Sequence, residues 1–417
     1  MPPTEFPKGV TINKSDKTFG CHVLYDGRDG ASYLINIMGD EVQTWPHTGF
    51  PAEMIDPVLN NDKRGHVLLA REPEPFFNEV LLEMDWDGNV VWQWGEEAPG
   101  GMARQNHDLC RLASGNTLLI SKQEYSVPSI HDEAFMDQPF YEVTPEGKIV
   151  WEWVAHEHLD ELGITGERVE LLFSKTLGRP RAYIFVINDL QPLGPNKWFD
   201  SGDERFHPDN IMLDSREANF IALIEKATGK VVWRLGPDFP AAYDFSKRDF
   251  NGPCPKPIDT ISGQHDAHMI APGLPGNGNV LVFDNDGPAG LPQVPGKTFP
   301  GSRVLEIDPI TEQIVWQYDA TKSGGPFWGF YSSFISSARR LPNGNTLICE
   351  GMHGRIFQVT EEGEIAWEFV NPRYGKWSQH AMNVIDFGGE QTNWMFRAQP
   401  IPDDWLPGGN TGLGLKD

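Results

Sequence analysis

Residues 87–94 read Asp-Gly-Asn-Val-Val-Trp-Gln-Trp, and variants of this stretch recur along the chain. Each copy opens with a polar or glycine turn and then alternates apolar and polar residues, which is the period of a half-buried β-strand. Complete copies occur at 87–94, 146–153, 228–235, 311–318 and 362–369, and a degenerate copy lies at 39–45. Aligning them places six tryptophans in one register: Trp45, Trp92, Trp151, Trp233, Trp316 and Trp367. The repeat therefore predicts six similar strands.

A second motif, a Gly-Asn turn ahead of a strand, accompanies the repeat at 114–118, 276–280 and 342–346. Glycine and asparagine supply the positive φ angles that a hairpin turn requires. The predicted unit is a four-stranded antiparallel meander, and repeats of this kind with a tryptophan are typical of propeller blades. We therefore predict an all-β fold, a six-bladed β-propeller forming a single domain over residues 1–417. Two long intervals predict insertions near 156–180, with helical spacing in the first half, and near 237–262.

Composition and charge narrow the class of protein. The 417 residues carry a formal net charge of −25, which argues against nucleic acid or an anionic membrane as partner. A hydrophobic fraction of 39% is ample for a core. The N-terminus shows no secretory signal, and no apolar run is long enough for a membrane span. The four cysteines are widely separated, so we expect reduced, mostly buried thiols and a cytoplasmic protein.

Histidines occupy a repeated position on the strands that precede the Gly-Asn turns. In a propeller these strands line the central channel. His107, His265 and His380 take nearly the same place on three of them, whereas 188–190 and 330–333 are the matching stretches without histidine. We expect the three imidazoles to converge on the propeller axis.

Further candidates for a ligand site lie near these strands. His207 and Arg216 flank the strand at 211–216 and are expected near one upper edge of a blade. The remaining candidates are His268, Tyr331 in the aromatic run 328–331, and His353 and Arg355 after the third Gly-Asn turn. Six other histidines fall outside the register and are expected at the surface or in loops: His22, His47, His66, His131, His156 and His158.

At these residues the chain resembles the bacterial arylsulfate sulfotransferase family, whose members are six-bladed propellers. The resemblance covers nearly the whole chain and is carried by NHDL (106–109), SGNTLL (114–119), RFHPDNIMLDSR (205–216), GQHDAHMI (263–270), RLPNGNTLICEG (340–351) and MFRAQP (395–400). It implies transfer of a sulfuryl group from an aryl sulfate to a phenolic acceptor through a histidine intermediate.

The resemblance also implies roles for individual residues. His265, in the Gln-His motif, matches the family nucleophile, and His107 matches the histidine that protonates the leaving phenolate and later deprotonates the acceptor. Arg216 matches the arginine that binds sulfuryl oxygens. The chain departs from the family at Val186, where members commonly carry a histidine two residues before the asparagine matched by Asn188. His207, His268 or His380 are candidates to replace that lost donor.

Two other functions stay open at the level of sequence. The channel histidines His107, His265 and His380 are suitable metal ligands, so a metal-dependent oxidoreductase, lyase or hydrolase is the main alternative. Both of His265 and His268 could serve only if their strand bends, because residues three apart face opposite ways. The third hypothesis is a non-catalytic propeller that binds a small aromatic or anionic ligand. No cofactor is predicted apart from such a metal.

Overall fold

Each recurring tryptophan stretch forms the fourth strand of a four-stranded antiparallel sheet. The computed structural model describes residues 7–71, 79–176, 184–236, 261–287, 300–376 and 391–408, without the side chains of 174–176 and 376. Strands dominate these residues, and six four-stranded sheets give the fold of a six-bladed β-propeller. The predicted fold class is therefore confirmed.

The six sheets are blades 1 to 6 in chain order, and each follows the meander predicted from the repeat. Blade 1 is β29 (Ala398–Ile401), β2 (His22–Asp26), β3 (Ser32–Ile35) and β4 (Glu41–Trp45); blade 2 is β5 (Glu53–Met54), β6 (Val67–Arg71), β7 (Val80–Met84) and β8 (Val90–Trp94); blade 3 is β9 (Leu109–Arg111), β10 (Thr117–Ile120), β13 (Phe140–Val143) and β14 (Ile149–Trp153).

The second half of the chain repeats the pattern. Blade 4 is β15 (Ile187–Pro192), β16 (Ile211–Ser215), β17 (Phe220–Ile224) and β18 (Val231–Leu235); blade 5 is β19 (His265–Met269), β20 (Val280–Asp284), β21 (Arg303–Ile307) and β22 (Ile314–Tyr318); blade 6 is β23 (Ser337–Arg340), β24 (Thr346–Glu350), β25 (Arg355–Val359) and β26 (Ile365–Val370). Strand β1 (Gly9–Asn13) extends blade 6 beside β26.

Few elements lie outside the blades. Two hairpins are formed by β11 (Gln123–Tyr125) with β12 (Phe135–Asp137), and by β27 (Gly375–Lys376) with β28 (Gln391–Thr392). The described residues contain helices α1 (Glu167–Thr176) and α2 (Lys197–Asp200), and short 3₁₀ turns at 57–60, 99–101, 155–158, 204–206, 320–323, 327–329, 351–353 and 403–405. No helix among them is both long and apolar enough to cross a bilayer.

A side-chain hydrogen bond stabilises the Gly-Asn turns in addition to their backbone geometry. Gly115 has φ +83°, as the turn requires. The asparagine that follows it, Asn116, donates from Nδ2 to Glu142 Oε1 at 2.5 Å on the third strand. Asn279 donates in the same way to Glu306 at 2.6 Å. The motif thus fixes the second strand against the third.

The repeated tryptophans link successive blades through their indole N–H groups. Trp233 Nε1 donates to Pro309 O at 3.0 Å, and Trp367 Nε1 donates to Ile37 O at 2.7 Å.

The strand register corrects one residue in the alignment of the six tryptophans. Gln43 pairs with Leu34 just before the bulge, as Trp92 pairs with Glu83, so Gln43 and not Trp45 is the equivalent residue. Trp45 matches Trp94, two residues further along the strand.

The core lies between the faces of neighbouring blades. Because each sheet packs on both faces, its strands are nearly continuously buried, as in β17 and β20. One apolar cluster joins blades 4 and 5 through residues such as Leu223, Trp233 and Val282. Another joins blades 1 and 2 around Trp45 and Leu69.

The chain divides into two compact units. The first comprises residues 1–119, 141–151 and 335–417 and holds blades 1, 2 and 6; the second comprises 120–140 and 152–334 and holds blades 4 and 5.

In the predicted insertion at 156–180, the α-helix occupies 167–176, so the helix lies in the second half of the segment and not in the first. Residues 237–260, most of the other predicted insertion, lie outside the described residues.

Candidate active site

A backbone hydrogen bond gives all blades a common register. Leu112 N donates to Asn116 O, and Ile270 N donates to Asn279 O, just before the second strand of each blade. Ile55, Leu193 and Leu341 donate in the same way, and Ile401 pairs with His22 at the equivalent position of blade 1. These six residues are called the anchors of their blades. The residue five positions before each anchor lies close to the start of the first strand. In blades 1 to 6 this residue is Phe396, Phe50, His107, Asn188, His265 and Ser336.

This register supports part of the sequence prediction and corrects another part. His107 and His265 do occupy equivalent positions, and Asn188 is the equivalent residue of blade 4. The match in blade 6 is Ser336 and not the stretch 330–333, because the anchor of that blade is Leu341. His380 lies outside the described residues, so its place stays a prediction.

Two hydrogen bonds fix the tautomer of His265, which is only 3% exposed. Its Nδ1 lies 2.8 Å from Asn285 Oδ1 and 3.0 Å from Gly263 O. The Asn285 amide is itself oriented, since its Nδ2 donates to Ser332 O at 2.7 Å. Both partners of Nδ1 are therefore acceptors, so Nδ1 carries the proton and the imidazole lone pair lies on Nε2.

Gln264 explains why a glutamine precedes this histidine. Its Nε2 donates to Ser215 O at 2.9 Å and Phe220 O at 3.0 Å, which ties the start of β19 to the turn after β16. Its backbone oxygen accepts from Asn188 Nδ2 at 3.2 Å. The Gln-His motif thus holds His265 beside Asn188, within the second unit.

Asn188 presents an unsatisfied buried acceptor. The side chain is 1% exposed, and its Oδ1 makes no hydrogen bond within the described part of the chain. A buried polar atom without a partner costs free energy, which a bound donor group recovers. Asn188 is thus suited to hold a ligand hydroxyl.

Arg216 and Tyr331 lie within electrostatic range of each other. Burial raises the pKa of the Tyr331 phenol and the Asp286 carboxylate adds to the rise, while a hydrogen bond with Ser333 and the positive charge of Arg216 oppose it. The phenol is therefore protonated at neutral pH and able to donate. Tyr331 is the neighbour of Ser332, which accepts from Asn285. This chain of contacts places Tyr331, Arg216 and His265 in one region of the second unit.

Arg216 belongs to a series of equivalent residues that the sequence analysis missed. It follows the second strand of blade 4 directly, and its N donates to Val186 O at 2.9 Å. The same position holds Arg28 in blade 1, Lys122 in blade 3 and Asn285 in blade 5. Lys122 is buried, which is rare for a lysine and marks it as a further candidate. Counting from the Gly-Asn turn would have found it.

Val186, at the position of the family histidine, has φ +49°. Positive φ in a β-branched residue is strained, and strained backbone clusters at functional sites. The first strands share this trait, with φ +69° at His107, +61° at Asp266 and +95° at Ser336. The strand β19 also bulges between His265 and His268, the bend that a shared ligand role would need.

The other predicted site residues have different surroundings from His265. His207 lies before β16 and Arg216 follows it, so the two flank opposite ends of a strand about 17 Å long and do not share an edge. Arg355 is held by two carboxylates, Glu350 and Glu368, which neutralise its charge. His353 is exposed in a 3₁₀ turn. His268 is buried, and its Nδ1 lies 2.9 Å from Asp266 O.

Three of the histidines expected at the surface or in loops are buried; His66 and His156 lie in loops or turns, whereas His22 lies on β2. His66 Nδ1 lies 2.7 Å from Glu83 Oε1, and His156 Nδ1 lies 2.9 Å from Asp137 Oδ2. His22 is paired with Asp403 at 3.0 Å. A carboxylate partner offsets the cost of burying each imidazole. Within the described ranges, no group of three or more His, Cys, Asp or Glu side chains is arranged to hold a metal ion.

The contacts of His265 thus define a candidate site within the second unit of a β-propeller. The family model Arylsulfotransferase (ASST) matches residues 42–391, which is most of the chain. The chain therefore belongs to the arylsulfotransferase family, which confirms the resemblance seen in the sequence. Membership supports an aryl sulfotransferase-like enzyme.

Other comparisons are much weaker. No curated protein matches the chain. A protein of unknown function from Bacteroides caccae is 13% identical with a TM-score of 0.48, covering 92% of this chain and 99% of its own. Apo AztD from Citrobacter koseri is 8% identical with a TM-score of 0.40, covering 92% and 99%. A putative 6-phosphogluconolactonase from Bacteroides fragilis is 8% identical with a TM-score of 0.39, covering 92% and 98%. None of these likenesses indicates a function.

Proposed function

We propose that this protein transfers a sulfuryl group from an aryl sulfate to a phenolic acceptor, with His265 as the nucleophile. One observation carries the proposal beyond family membership. The Nδ1 atom of His265 is held by the two acceptors Asn285 Oδ1 and Gly263 O, so the lone pair needed for attack lies on Nε2.

In the first half-reaction, the Nε2 lone pair of His265 forms a bond to sulfur while the bond from sulfur to the aryl oxygen breaks. The leaving oxygen takes a proton from His107, the role that the family gives to this histidine. In the second half-reaction, the phenolic oxygen of the acceptor attacks sulfur and His107 takes up its proton. The nitrogen–sulfur bond breaks, which restores His265.

Arg216 and Tyr331 are assigned to the sulfuryl oxygens. Charge shifts onto these oxygens as the group moves, so a guanidinium and a phenolic donor stabilise the transition state. Asn188, through its unsatisfied Oδ1, is assigned to the hydroxyl of the acceptor. Lys122 and Tyr331 are assigned to offset the absence of a histidine at Val186, because Lys122 occupies in blade 3 the position of Arg216 and Tyr331 lies within electrostatic range of Arg216. His268, whose Nδ1 lies 2.9 Å from Asp266 O, is assigned no direct contact with the sulfuryl group.

A single-turnover measurement tests the proposal. Purified protein is mixed with 4-nitrophenyl sulfate, and the burst of 4-nitrophenol is followed while the digested protein is analysed by mass spectrometry. We expect one sulfuryl group on the peptide that contains His265, and its discharge when phenol is added. His265→Gln should abolish the burst, whereas His158→Gln, a substitution of a histidine stacked on Trp153, should retain it.

The same preparation separates the alternatives. Turnover without a protein-bound sulfuryl group, together with stoichiometric metal in elemental analysis, would overturn the proposal in favour of metal chemistry. Binding of aryl sulfates without any transfer would favour a binding protein.

A further inference from the structure

The backbone at His107 forms a strained turn. Asp108 N donates to Asn106 O at 2.9 Å, which closes a three-residue γ-turn with His107 at its centre. The φ angle of His107 is +69°, and γ-turns with positive φ are rare and strained. Such a conformation persists only where the surroundings hold it.

An ion pair from the C-terminal strand of blade 1 holds this turn. Arg397 Nη1 donates to Asp108 Oδ1 at 2.7 Å, and the same oxygen accepts from Leu109 N at 2.9 Å. Both charged side chains are less than 5% exposed. Since a buried, charge-assisted hydrogen bond is strong, Arg397 clamps the residue next to His107.

Ring contacts from the same strand fix the imidazole plane. Phe396 lies parallel to His107, with centroids 5.8 Å apart and planes 2° apart. Phe50 covers the ring at 5.5 Å and contacts Phe396 at 4.4 Å. Other charges nearby belong to Asp26, which accepts from Phe396 N, and to its ion-pair partner Arg28, 5.8 Å above the Phe50 ring.

We infer that Arg397 and Asp108 are positioning residues for His107, and that the C-terminal strand thereby supplies part of the proton-transfer apparatus. The assignment of proton transfer to His107 rests on the proposed function, but the positioning itself does not. Residues 395–400 therefore orient the imidazole of His107 in addition to completing blade 1.

Imidazole resonances test the positioning without any need for activity. In protein with ¹⁵N-labelled histidine, the His107 signals are assigned with His107→Gln and titrated in Arg397→Met and Asp108→Asn. Removing the guanidinium takes away the positive charge that offsets Asp108, so the pKa of His107 should rise by about 0.5 or more; removing the carboxylate should lower the pKa of His107. Arg397→Lys should restore part of the wild-type behaviour.

Arg111→Met is the matched control. Arg111 ends the same strand, β9, and pairs with Glu83, so its loss removes a similar ion pair at the far end. The His107 titration should then match wild type. Wild-type His107 titration in a folded Arg397→Met or Asp108→Asn variant would overturn the inference, as would identical shifts in all three variants.

A kinetic readout connects the positioning to catalysis. If His107 donates a proton to the leaving group, its displacement matters most for poor leaving groups. Arg397→Met should slow transfer from phenyl sulfate about 10-fold more than transfer from 4-nitrophenyl sulfate. An equal loss with both donors, beside a shifted His107 titration, would overturn the proton-transfer role and retain the clamp. Absence of transfer in the wild type would overturn the proposed function and leave the resonance test intact.

Discussion

At the scale of single residues, the site depends on amides that orient a histidine. Asn285 accepts from His265 Nδ1 and is fixed by Ser332, while Gln264 anchors the preceding backbone. None of these amides reacts. Their effect is to keep one tautomer and one ring orientation, which a surface histidine would lose.

Substitution of Asn285 tests this arrangement. Asn285→Leu removes the acceptor from Nδ1, so both tautomers become populated and the rate of histidine sulfurylation should fall about 10- to 100-fold with little change in KM. Stopped-flow measurement of the burst would show it. The control Asn279→Ala lies at the other end of β20 and loses only its bond to Glu306. An equal effect of both substitutions on the burst would argue against orientation by Asn285.

Residue patterns predicted one part of the site and missed another. His107, His265 and Asn188 could be placed from the sequence because each lies in the stretch that forms the first strand of its blade. The burial of His66 and His156 could not, because their partners Glu83 and Asp137 are unrelated to that spacing. Long-range carboxylate partners leave no trace in a local motif.

At the scale of elements, the fourth strand lies at the edge of its blade and carries tryptophans that bond to another blade. The indole of Trp367 donates to Ile37 O in the turn of another blade, and Trp153 donates to Gly229 O. A sequence repeat reveals the strand readily. It does not reveal the two-residue offset of Trp45, because the bulge that precedes Trp45 is set by pairing with β3.

Loss of one indole bond should be measurable as stability. Trp367 is fully buried, so Trp367→Phe leaves the Ile37 carbonyl without its donor and should lower the free energy of unfolding by about 1–2 kcal/mol. Denaturation in urea followed by circular dichroism measures this. Trp328→Phe, at a side chain that is 56% exposed, should change stability by less than about 0.5 kcal/mol. Equal losses would show that the indole bond contributes nothing specific.

At the scale of the whole molecule, the formal charge of −25 imposes self-repulsion on the folded state. Salt screens this repulsion, so the melting temperature should rise by about 2–5 °C between 0.02 and 0.3 M NaCl. Differential scanning calorimetry gives the value, with an equally concentrated neutral osmolyte as control. A fall in melting temperature with salt would mean that surface ion pairs such as Lys14–Glu364 outweigh the repulsion.

The all-β propeller class followed from periodicity, since four-stranded units repeat along the chain. The division into two compact units could not be predicted from composition, because the sequence around the boundaries at 119/120 and 151/152 does not resemble a linker. The insertion helix was placed in the wrong half of its segment for a related reason. Helical spacing over a dozen residues is weak evidence when tertiary packing decides where the helix forms.

The pairing of β29 with β2 has a consequence for biosynthesis. A ribosome releases β2, β3 and β4 of blade 1 about 350 residues before the missing strand β29 emerges. Until β29 has been synthesised, β2 keeps an unpaired edge, and His107 lacks Phe396 and Arg397. A chain without residues 395–401 can therefore neither complete blade 1 nor supply the ring contact at His107 and the ion pair to Asp108.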